Sequence, residues 1–308
     1  MAFIQTVNGK ISPEEMGVTY CHDHILFMPP PPFSEKDPTL RLDDIDKSLK
    51  EIAFFKQAGG GCVIEMSTVE TGRSPEGLLR ISLETGVHIV ATTGFNKSIY
   101  CEAVVTDQTV EEIASNMIVD LKVGMDGKNI KAGVIKASSS KDKFTPGETK
   151  IFNAAVLAHQ DTGATISTHT EAGTMALEQI EILVSAGVKP ESIVIGHLDR
   201  RLDWNFISQI ALTGVFMSFD QLSKEKYFPD SLRIEFIKKL ISAGHEDQLM
   251  LSGDLARLSY LPSYGFGYGP GFTYILWRFI PWMLEEGVSR EVVDKIMVQN
   301  PAKSFTWK

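Results

Sequence analysis

Cysteine is scarce in this chain of 308 residues, which contains only Cys21, Cys62 and Cys101. Three thiols so far apart in sequence do not form a disulfide framework, and this favours a reducing compartment. The opening segment, MAFIQTVNGKI, lacks the basic region and the apolar region of a signal peptide. We therefore expect a cytoplasmic protein.

Long hydrophobic runs and an excess of positive charge are also lacking. The apolar stretch 274–284 is interrupted by Arg278 and Pro281, and it is too short to cross a bilayer. The net charge of -9 argues against binding to nucleic acid. We expect neither a membrane nor a nucleic-acid partner, although a local basic pocket for a small anion is compatible with this charge.

Short apolar runs alternate regularly with segments of helical periodicity. Strands are predicted at 17–21, 61–65, 87–93, 132–136, 164–169, 192–197, 215–219 and 249–253. Helices are predicted at 42–57, 74–84, 109–123, 148–161, 174–186, 203–212 and 230–243, with a proline-rich loop at 29–32. This alternation is typical of a parallel sheet covered by helices.

The number of predicted strands favours one α/β fold, the TIM or (β/α)8 barrel, over an open doubly wound sheet. Such barrels typically take about 250 residues, which this chain accommodates with extended loops. No linker or low-complexity tract marks a domain boundary, so residues 1–308 are expected to form a single domain.

Residues with metal-binding chemistry stand at the ends of the predicted strands. They are His22, His24, Lys136, His169, His197 and Asp254. Any one of them could be an ordinary hydrogen-bonded polar group in the core. The carboxyl ends of barrel strands meet at one face, however, and side chains two apart on a strand point the same way. The ordered set therefore predicts a metal site.

Lys136 needs a separate explanation, because a buried ammonium group beside cations would be repelled. Burial and positive neighbours lower the pKa of a lysine, so it could act as a base. Alternatively, it could react with carbon dioxide to give a carbamate, whose two oxygens can bridge two divalent ions. A lysine extending to the barrel rim suits Lys141 and Lys143 better. Zinc is the expected metal, and manganese, cobalt and iron accept the same ligands.

The chain resembles the phosphotriesterase family of the amidohydrolase superfamily, which includes the phosphotriesterase-like lactonases. The resemblance runs nearly end to end through the motifs TVNG (6–9), GVTYCHDH (17–24), AGVIK (132–136), THT (168–170), IGH (195–197), SGD (252–254) and NPA (300–302). It implies that His22, His24 and Asp254 hold one metal and that His169 and His197 hold the other. Carboxylated Lys136 and a hydroxide would bridge the two metals, and a homodimer is implied.

One departure concerns the residues after the sixth and seventh strands. Asp199-Arg200-Arg201 and Asp220-Gln221 stand where phosphotriesterases place further acidic and histidine residues. The proton relay used with organophosphates is therefore not expected here, and triester hydrolysis is not expected as the main activity.

The loops after the seventh and eighth strands carry Lys224, Lys226, Arg257 and Tyr260. These loops commonly bind phosphate in such barrels. We expect Lys226, Arg257 and Tyr260 to hold a substrate phosphate, and Lys224 to be an ordinary solvated residue. The predicted reaction is the opening of a phosphorylated furanose lactone by the bridging hydroxide, with Asp254 carrying the proton.

Several alternatives remain open. A phosphotriesterase or an acyl-homoserine lactonase would need an apolar pocket. The aromatic residues in 264–268 and 272–277 could supply one, although packing or a dimer contact suits them better. An amidohydrolase cleaving a ring amide is a second rival. A non-catalytic protein with a structural metal is disfavoured, because structural zinc sites close with four N/S ligands and use no lysine.

Overall fold

The computed structural model describes residues 2–307, which contain a barrel of eight parallel strands. A small antiparallel hairpin, β1 (Ile4–Thr6) and β2 (Gly9–Ile11), precedes it. The barrel strands are β3 (Thr19–Asp23), β4 (Cys62–Glu65), β5 (His88–Gly94), β6 (Val134–Ser139), β7 (Ile166–Thr170), β8 (Ile193–Ile195), β9 (Phe216–Phe219) and β10 (Leu249–Leu251). They lie in sequence order, and the predicted (β/α)8 class is confirmed.

Most helices connect successive barrel strands, and the last three follow the final strand. They are α1 (Pro31–Lys36), α2 (Ile45–Gln57), α3 (Pro75–Thr85), α4 (Ser98–Val105), α5 (Val110–Lys122), α6 (Pro146–Thr162), α7 (Ala176–Ser185), α8 (Trp204–Leu212), α9 (Asp230–Ser242), α10 (Ile280–Glu285), α11 (Arg290–Asp294) and α12 (Asn300–Phe305). None of the helices within residues 2–307 has both the length and the apolar character needed to cross a membrane.

Local sequence explains where the helices begin and end, as α6 illustrates. The Thr145 side chain accepts a hydrogen bond from the Glu148 amide, and Pro146 occupies the first helical position. Gly163 ends the helix with φ 77°, a conformation that glycine adopts without steric cost. Glu148 also accepts a hydrogen bond from the Ser98 amide at 2.9 Å, and this contact joins α6 to the start of α4.

The barrel closes between its first and last strands through Asp23. Its carboxylate accepts hydrogen bonds from the amides of Gly253 (3.1 Å) and Leu255 (2.8 Å), just beyond β10. The Asp254 amide donates to the His22 carbonyl at 3.2 Å. Closure therefore places the end of β10 beside the end of β3. Below this level the barrel interior is filled by buried apolar side chains: Ile64, Val90, Val134, Val194 and Met250.

The predicted barrel strands and the helices between them agree with the structure to within a few residues, with two corrections. Lys136 lies inside β6 and does not end it, because the strand continues to Ser139. Pro31, predicted to lie in a loop, begins α1, where its missing amide hydrogen costs nothing. The hairpin, α4 and the helices after β10 were not predicted.

Two C-terminal helices contain a widened π turn. These turns, Ile275–Phe279 and Lys295–Gln299, stand directly before α10 and α12. Each of those two helices has a proline, Pro281 or Pro301, at its second position. Proline lacks an amide hydrogen, and its ring clashes with the carbonyl four residues earlier, so a local widening of the helix accommodates it.

Gly94→Ala should destabilise the protein much more than Gly86→Ala. Both glycines have positive φ, +94° and +68°, so each alanine introduces left-handed strain of about 1–2 kcal/mol. A Cβ at Gly94 would lie 2.1 Å from the Lys136 carbonyl oxygen, whereas a Cβ at Gly86 meets nothing within 4 Å. Urea unfolding of the two variants measures the difference. Equal losses would show that the strand contact at Gly94 is unimportant.

Candidate metal centre

The six predicted ligands line one cavity of about 130 Å³ at the carboxyl end of the barrel. His22 and His24 come from the end of β3, Lys136 from β6 and His169 from β7. His197 and Asp254 follow β8 and β10 in left-handed conformations, with φ 61° and 45°. Such backbone strain in non-glycine residues is found mainly where a side chain must be aimed at a functional site.

The ligand atoms form two groups. In one group, Asp254 Oδ1 lies 3.5 Å from His24 Nε2 and 4.0 Å from His22 Nε2. In the other, His169 Nδ1 lies 2.7 Å from His197 Nε2. Asp220 also lies within 4.8 Å of His22 and His197. Its carboxylate, however, accepts a hydrogen bond from His197 Nδ1 at 2.6 Å, so Asp220 supports a ligand and is not itself assigned as one.

His22 gives a direct indication that these residues fit a metal. The side chain is buried, and neither ring nitrogen has a hydrogen-bond partner among the described residues. A buried imidazole without partners is costly in a native protein. A cation in the cavity would satisfy it, and nitrogen and oxygen donors are what zinc, manganese, cobalt and iron accept.

The other histidines have one ring nitrogen engaged by the protein. His24 Nδ1 contacts Ser67 Oγ at 2.8 Å, and this hydroxyl donates to Glu65 at 2.6 Å. The Ser67 oxygen therefore accepts from His24, whose Nε2 is left for the cavity. Hydrogen bonds of this kind fix the tautomer and the ring orientation of metal ligands.

Burial changes the pKa of three of the predicted ligands and keeps two of the histidines in the neutral form that binds metal. Burial lowers the pKa of His24 to about 4 and the pKa of His169 to about 3, so both are neutral at pH 7. Burial also lowers the pKa of Lys136 to about 8. The Lys136 Nζ donates a hydrogen bond to the Met66 carbonyl at 2.8 Å.

Lys224 lies inside the site, so its prediction as a solvated residue is wrong. Its Nζ donates to Asp254 Oδ2 at 2.9 Å, to the Asp254 carbonyl at 2.6 Å and to Gln221 Oε1 at 2.9 Å. Burial opposes ionisation of Asp254, but the Lys224 charge and the hydrogen bond with His24 hold the pKa of Asp254 well below its usual range. Sequence spacing gave no sign that this loop folds back over β10.

The three predicted phosphate-binding residues are only partly brought together. Lys226 Nζ lies 3.0 Å from the Tyr260 hydroxyl. The Arg257 guanidinium instead pairs with Asp37 and donates to Thr39 Oγ1 at 2.8 Å. Arg257 therefore ties the loop after β10 to the loop after β3.

Several residues at the cavity were not predicted. Asn96, Lys97 and Tyr100, in the segment after β5, line it together with Phe27 and Leu40. Their position after a predicted strand was the only sequence feature that could have identified them, because residues just past a barrel strand lie at the carboxyl-terminal face, where the cavity is.

Gln221 was noted in the sequence as a departure from phosphotriesterases, and the structure shows its contacts. Its Nε2 donates to Asp254 Oδ2 at 2.8 Å and lies 2.9 Å from His197 Nδ1. The Asp220 and Gln221 amides donate to the buried Asp199, which Arg233 Nε contacts at 2.8 Å. The buried Asp199–Arg233 ion pair thus supports the segment after β9, which contacts His197 and Asp254.

A parallel barrel whose strand ends carry such a donor set defines the class of metal-dependent (β/α)8-barrel hydrolases. The family model described as the phosphotriesterase family matches residues 2–305, and the chain belongs to this family. Its members use a binuclear metal centre.

Similar proteins include several hydrolases. A lactonase from Listeria monocytogenes has a crystal structure 39% identical in sequence, with a TM-score of 0.94 and 99% of each chain covered. A phospho-furanose lactonase from Mycoplasmopsis synoviae is 33% identical over 98% of this chain and 91% of its own length. An N-acetyltaurine hydrolase from Xenopus tropicalis is 30% identical over 99% of this chain and 98% of its own length. The chain is thus a lactonase-like or phosphotriesterase-like hydrolase.

His22→Leu should leave the metal-free protein as stable as the wild type, or more stable. The substitution replaces an unpartnered buried polar group by an apolar one of similar size. The rise in melting temperature on adding zinc to chelator-treated protein should shrink sharply in the same variant. His245→Leu, at the opposite end of the barrel before β10, is the control and should keep the full rise. An undiminished rise in His22→Leu would contradict the assignment of His22 as a ligand.

Proposed function

We propose that this protein hydrolyses phosphorylated furanose lactones. The observation that carries the proposal is the exposed Lys226, whose Nζ lies 3.0 Å from the Tyr260 hydroxyl. The Tyr260 ring also lies against Lys224, which bonds the predicted ligand Asp254. The relative named as a phospho-furanose lactonase supports the same substrate class. An acidic protein that places lysines at its cavity mouth is suited to an anionic substrate.

We propose that His22, His24 and Asp254 would hold one zinc ion and that His169 and His197 would hold the second. Carboxylated Lys136 would supply oxygen ligands for both ions. Bound ions of this kind would supply polarisation of a carbonyl and a lowered pKa of a water. Asp254 is held ionised by Lys224, so its carboxylate can accept the proton of the attacking water and pass it to the ring oxygen as the lactone opens.

The roles of the remaining residues follow from their contacts. Lys226 and Tyr260 share a hydrogen bond and form the phosphate-binding pair. Arg257 would join them by exchanging its contact with Asp37 for the substrate. Lys224 uses its hydrogen bonds on Asp254 and Gln221, so its role is to orient and charge-balance Asp254.

Two broader proposals concern the chain as a whole. We propose a single domain, supported by an apolar cluster that extends from Val7 to Trp307. We also propose a cytoplasmic homodimer. The three cysteines are buried and unpaired, as suits a reducing compartment. The large aromatic side chains of Tyr268 and Trp277, 87% and 57% exposed, are available for a subunit contact.

The substrate proposal is tested with zinc-loaded protein on five compounds. They are a phosphorylated furanose lactone, the same lactone without phosphate, an acyl-homoserine lactone, a phosphotriester and an N-acyl amide. The phosphorylated lactone should give the highest kcat/KM. Lys226→Met should raise the KM for the phosphorylated lactone roughly ten- to hundredfold, because the loss of one charge-assisted hydrogen bond weakens binding by about this factor.

The same Lys226→Met substitution should leave the unphosphorylated lactone unaffected. Lys239→Met removes an exposed lysine from α9 and serves as the matched control, with no expected change on either lactone. Equal effects of Lys226→Met on both lactones would defeat the phosphate assignment. A higher rate on the triester or the amide would defeat the lactone proposal.

Carboxylation of Lys136 should depend on pH through the neutral amine, which is the form that attacks carbon dioxide. Because the pKa of Lys136 is about 8, the neutral fraction rises as pH increases from 7 to 9. Reactivation of stripped protein by zinc at a fixed concentration of dissolved carbon dioxide should therefore be faster at pH 9 than at pH 7. A carbamate signal in the ¹³C spectrum with labelled bicarbonate is the direct measurement. Reactivation independent of carbon dioxide would exclude the modification.

A further inference from the structure

Glu171 connects a predicted metal ligand to two cations at the cavity mouth. It follows β7 two residues after His169, in the short turn Glu171–Gly173. Its Oε2 lies 3.3 Å from His169 Nε2 and also contacts Lys97 Nζ. Its Oε1 accepts a hydrogen bond from Arg200 Nη1 at 3.0 Å. The carboxylate is thus bonded on both oxygens.

The contact with Glu171 determines which nitrogen of His169 faces the cavity. Lys97 pairs with Oε2 of Glu171 and Arg200 pairs with Oε1, and these two ion pairs keep the carboxylate in its ionised form. An ionised carboxylate only accepts, so His169 Nε2 carries the proton and donates. The unprotonated Nδ1 then faces His197 Nε2 at 2.7 Å.

The two histidines of this pair therefore present opposite ring nitrogens. His197 bonds Asp220 through Nδ1 and offers Nε2, whereas His169 bonds Glu171 through Nε2 and offers Nδ1. In the other tautomer, His169 would direct an Nδ1–H at the cation. Carboxylates that hold the second nitrogen of a ligand histidine set both its tautomer and its basicity.

We propose that Glu171 is a positioning residue that fixes the ring and the tautomer of His169, and that Lys97 and Arg200 orient its carboxylate. The inference rests on the proposed metal site. Lys97, Glu171 and Arg200 come from the segments after three different strands, β5, β7 and β8. The orientation of the carboxylate therefore depends on contacts between three loops and not on any one of them alone.

Arg200 also connects this arrangement to the proposed phosphate site. Its guanidinium lies 4.3 Å from the centre of the Tyr227 ring, and Lys226 Nζ lies 4.8 Å from the same centre. The Tyr227 ring is therefore contacted both by Arg200, which orients Glu171, and by Lys226, which is proposed to bind substrate. This contact connects the residues that hold His169 to the proposed phosphate site.

The first test uses metal-free protein and needs no activity. Long-range ¹H–¹⁵N correlation spectra report which ring nitrogen of each histidine is protonated, and the His169 signals are assigned by their loss in His169→Asn. Wild-type His169 should be protonated at Nε2. Glu171→Ala should give a mixture of tautomers or the Nδ1–H form. An unchanged Nε2–H tautomer in Glu171→Ala would overturn the proposal.

The second test measures zinc binding by calorimetry. Glu171→Ala should weaken one of the two ions about 10- to 100-fold, the usual cost of losing such an outer partner. Glu171→Gln should weaken it less, because the amide oxygen still accepts from Nε2–H. Glu178→Gln removes an equal charge from an exposed position on α7 and should change nothing. Wild-type affinity for both ions in Glu171→Ala would overturn the proposal.

Two further outcomes are distinguishable. If Glu171→Ala does not fold, Lys97→Met replaces it, because this variant keeps the carboxylate. Lys97→Met should reduce the affinity for the same ion by a smaller factor. Wild-type affinity in Lys97→Met would contradict the orienting role of Lys97. Failure of the wild-type protein to bind zinc would refute the proposed metal site. The tautomer measurement would still decide whether Glu171 positions His169.

Discussion

Closure of the barrel by Asp23 is the interaction on which the site depends. The Asp23 side chain lies between His22 and His24 in sequence and bonds the backbone immediately before and after Asp254. Asp23 is fully buried, and burial raises its pKa to about 7 despite the amides that donate to it. One carboxylate thereby joins two chain segments that must meet for three of the proposed ligands to share an ion. A shift at this junction would separate His22 and His24 from Asp254.

Three of the predicted histidine ligands are held in place by side chains that lie outside the cavity. Ser67, Asp220 and Glu171 each engage one ring nitrogen of a histidine and leave the other directed at the cavity. A neutral imidazole binds a cation without first losing a proton. An imidazole that is already oriented loses no rotational freedom when the cation binds. His22 has no such partner among the described residues. A cation in the cavity would give its buried ring nitrogens the partner that they lack.

The mouth of the cavity is held by ion pairs between loops. Arg257 with Asp37 joins the segments after β10 and β3, and Lys224 holds Asp254 from the segment after β9. The Lys224–Asp254 pair is largely buried, so removing one of its partners would leave the other unpaired at considerable cost. Lys226, exposed beside Tyr260, is the lysine proposed to bind a substrate phosphate.

The order of strands, helices and candidate ligands could be read from the sequence, because apolar periodicity and strand-end positions are local properties. His22 and His24 on one strand, and Asp254 after another, needed only the barrel geometry to be brought together. Tertiary structure alone decided that Lys224 is buried, that Arg257 pairs with Asp37, and that His169 turns its Nδ1 to the cavity. The partners of Lys224 and Arg257 come from distant loops. Glu171 is adjacent to His169, but Lys97 and Arg200 from two other loops hold it. Loop conformation is set by such contacts and not by local periodicity.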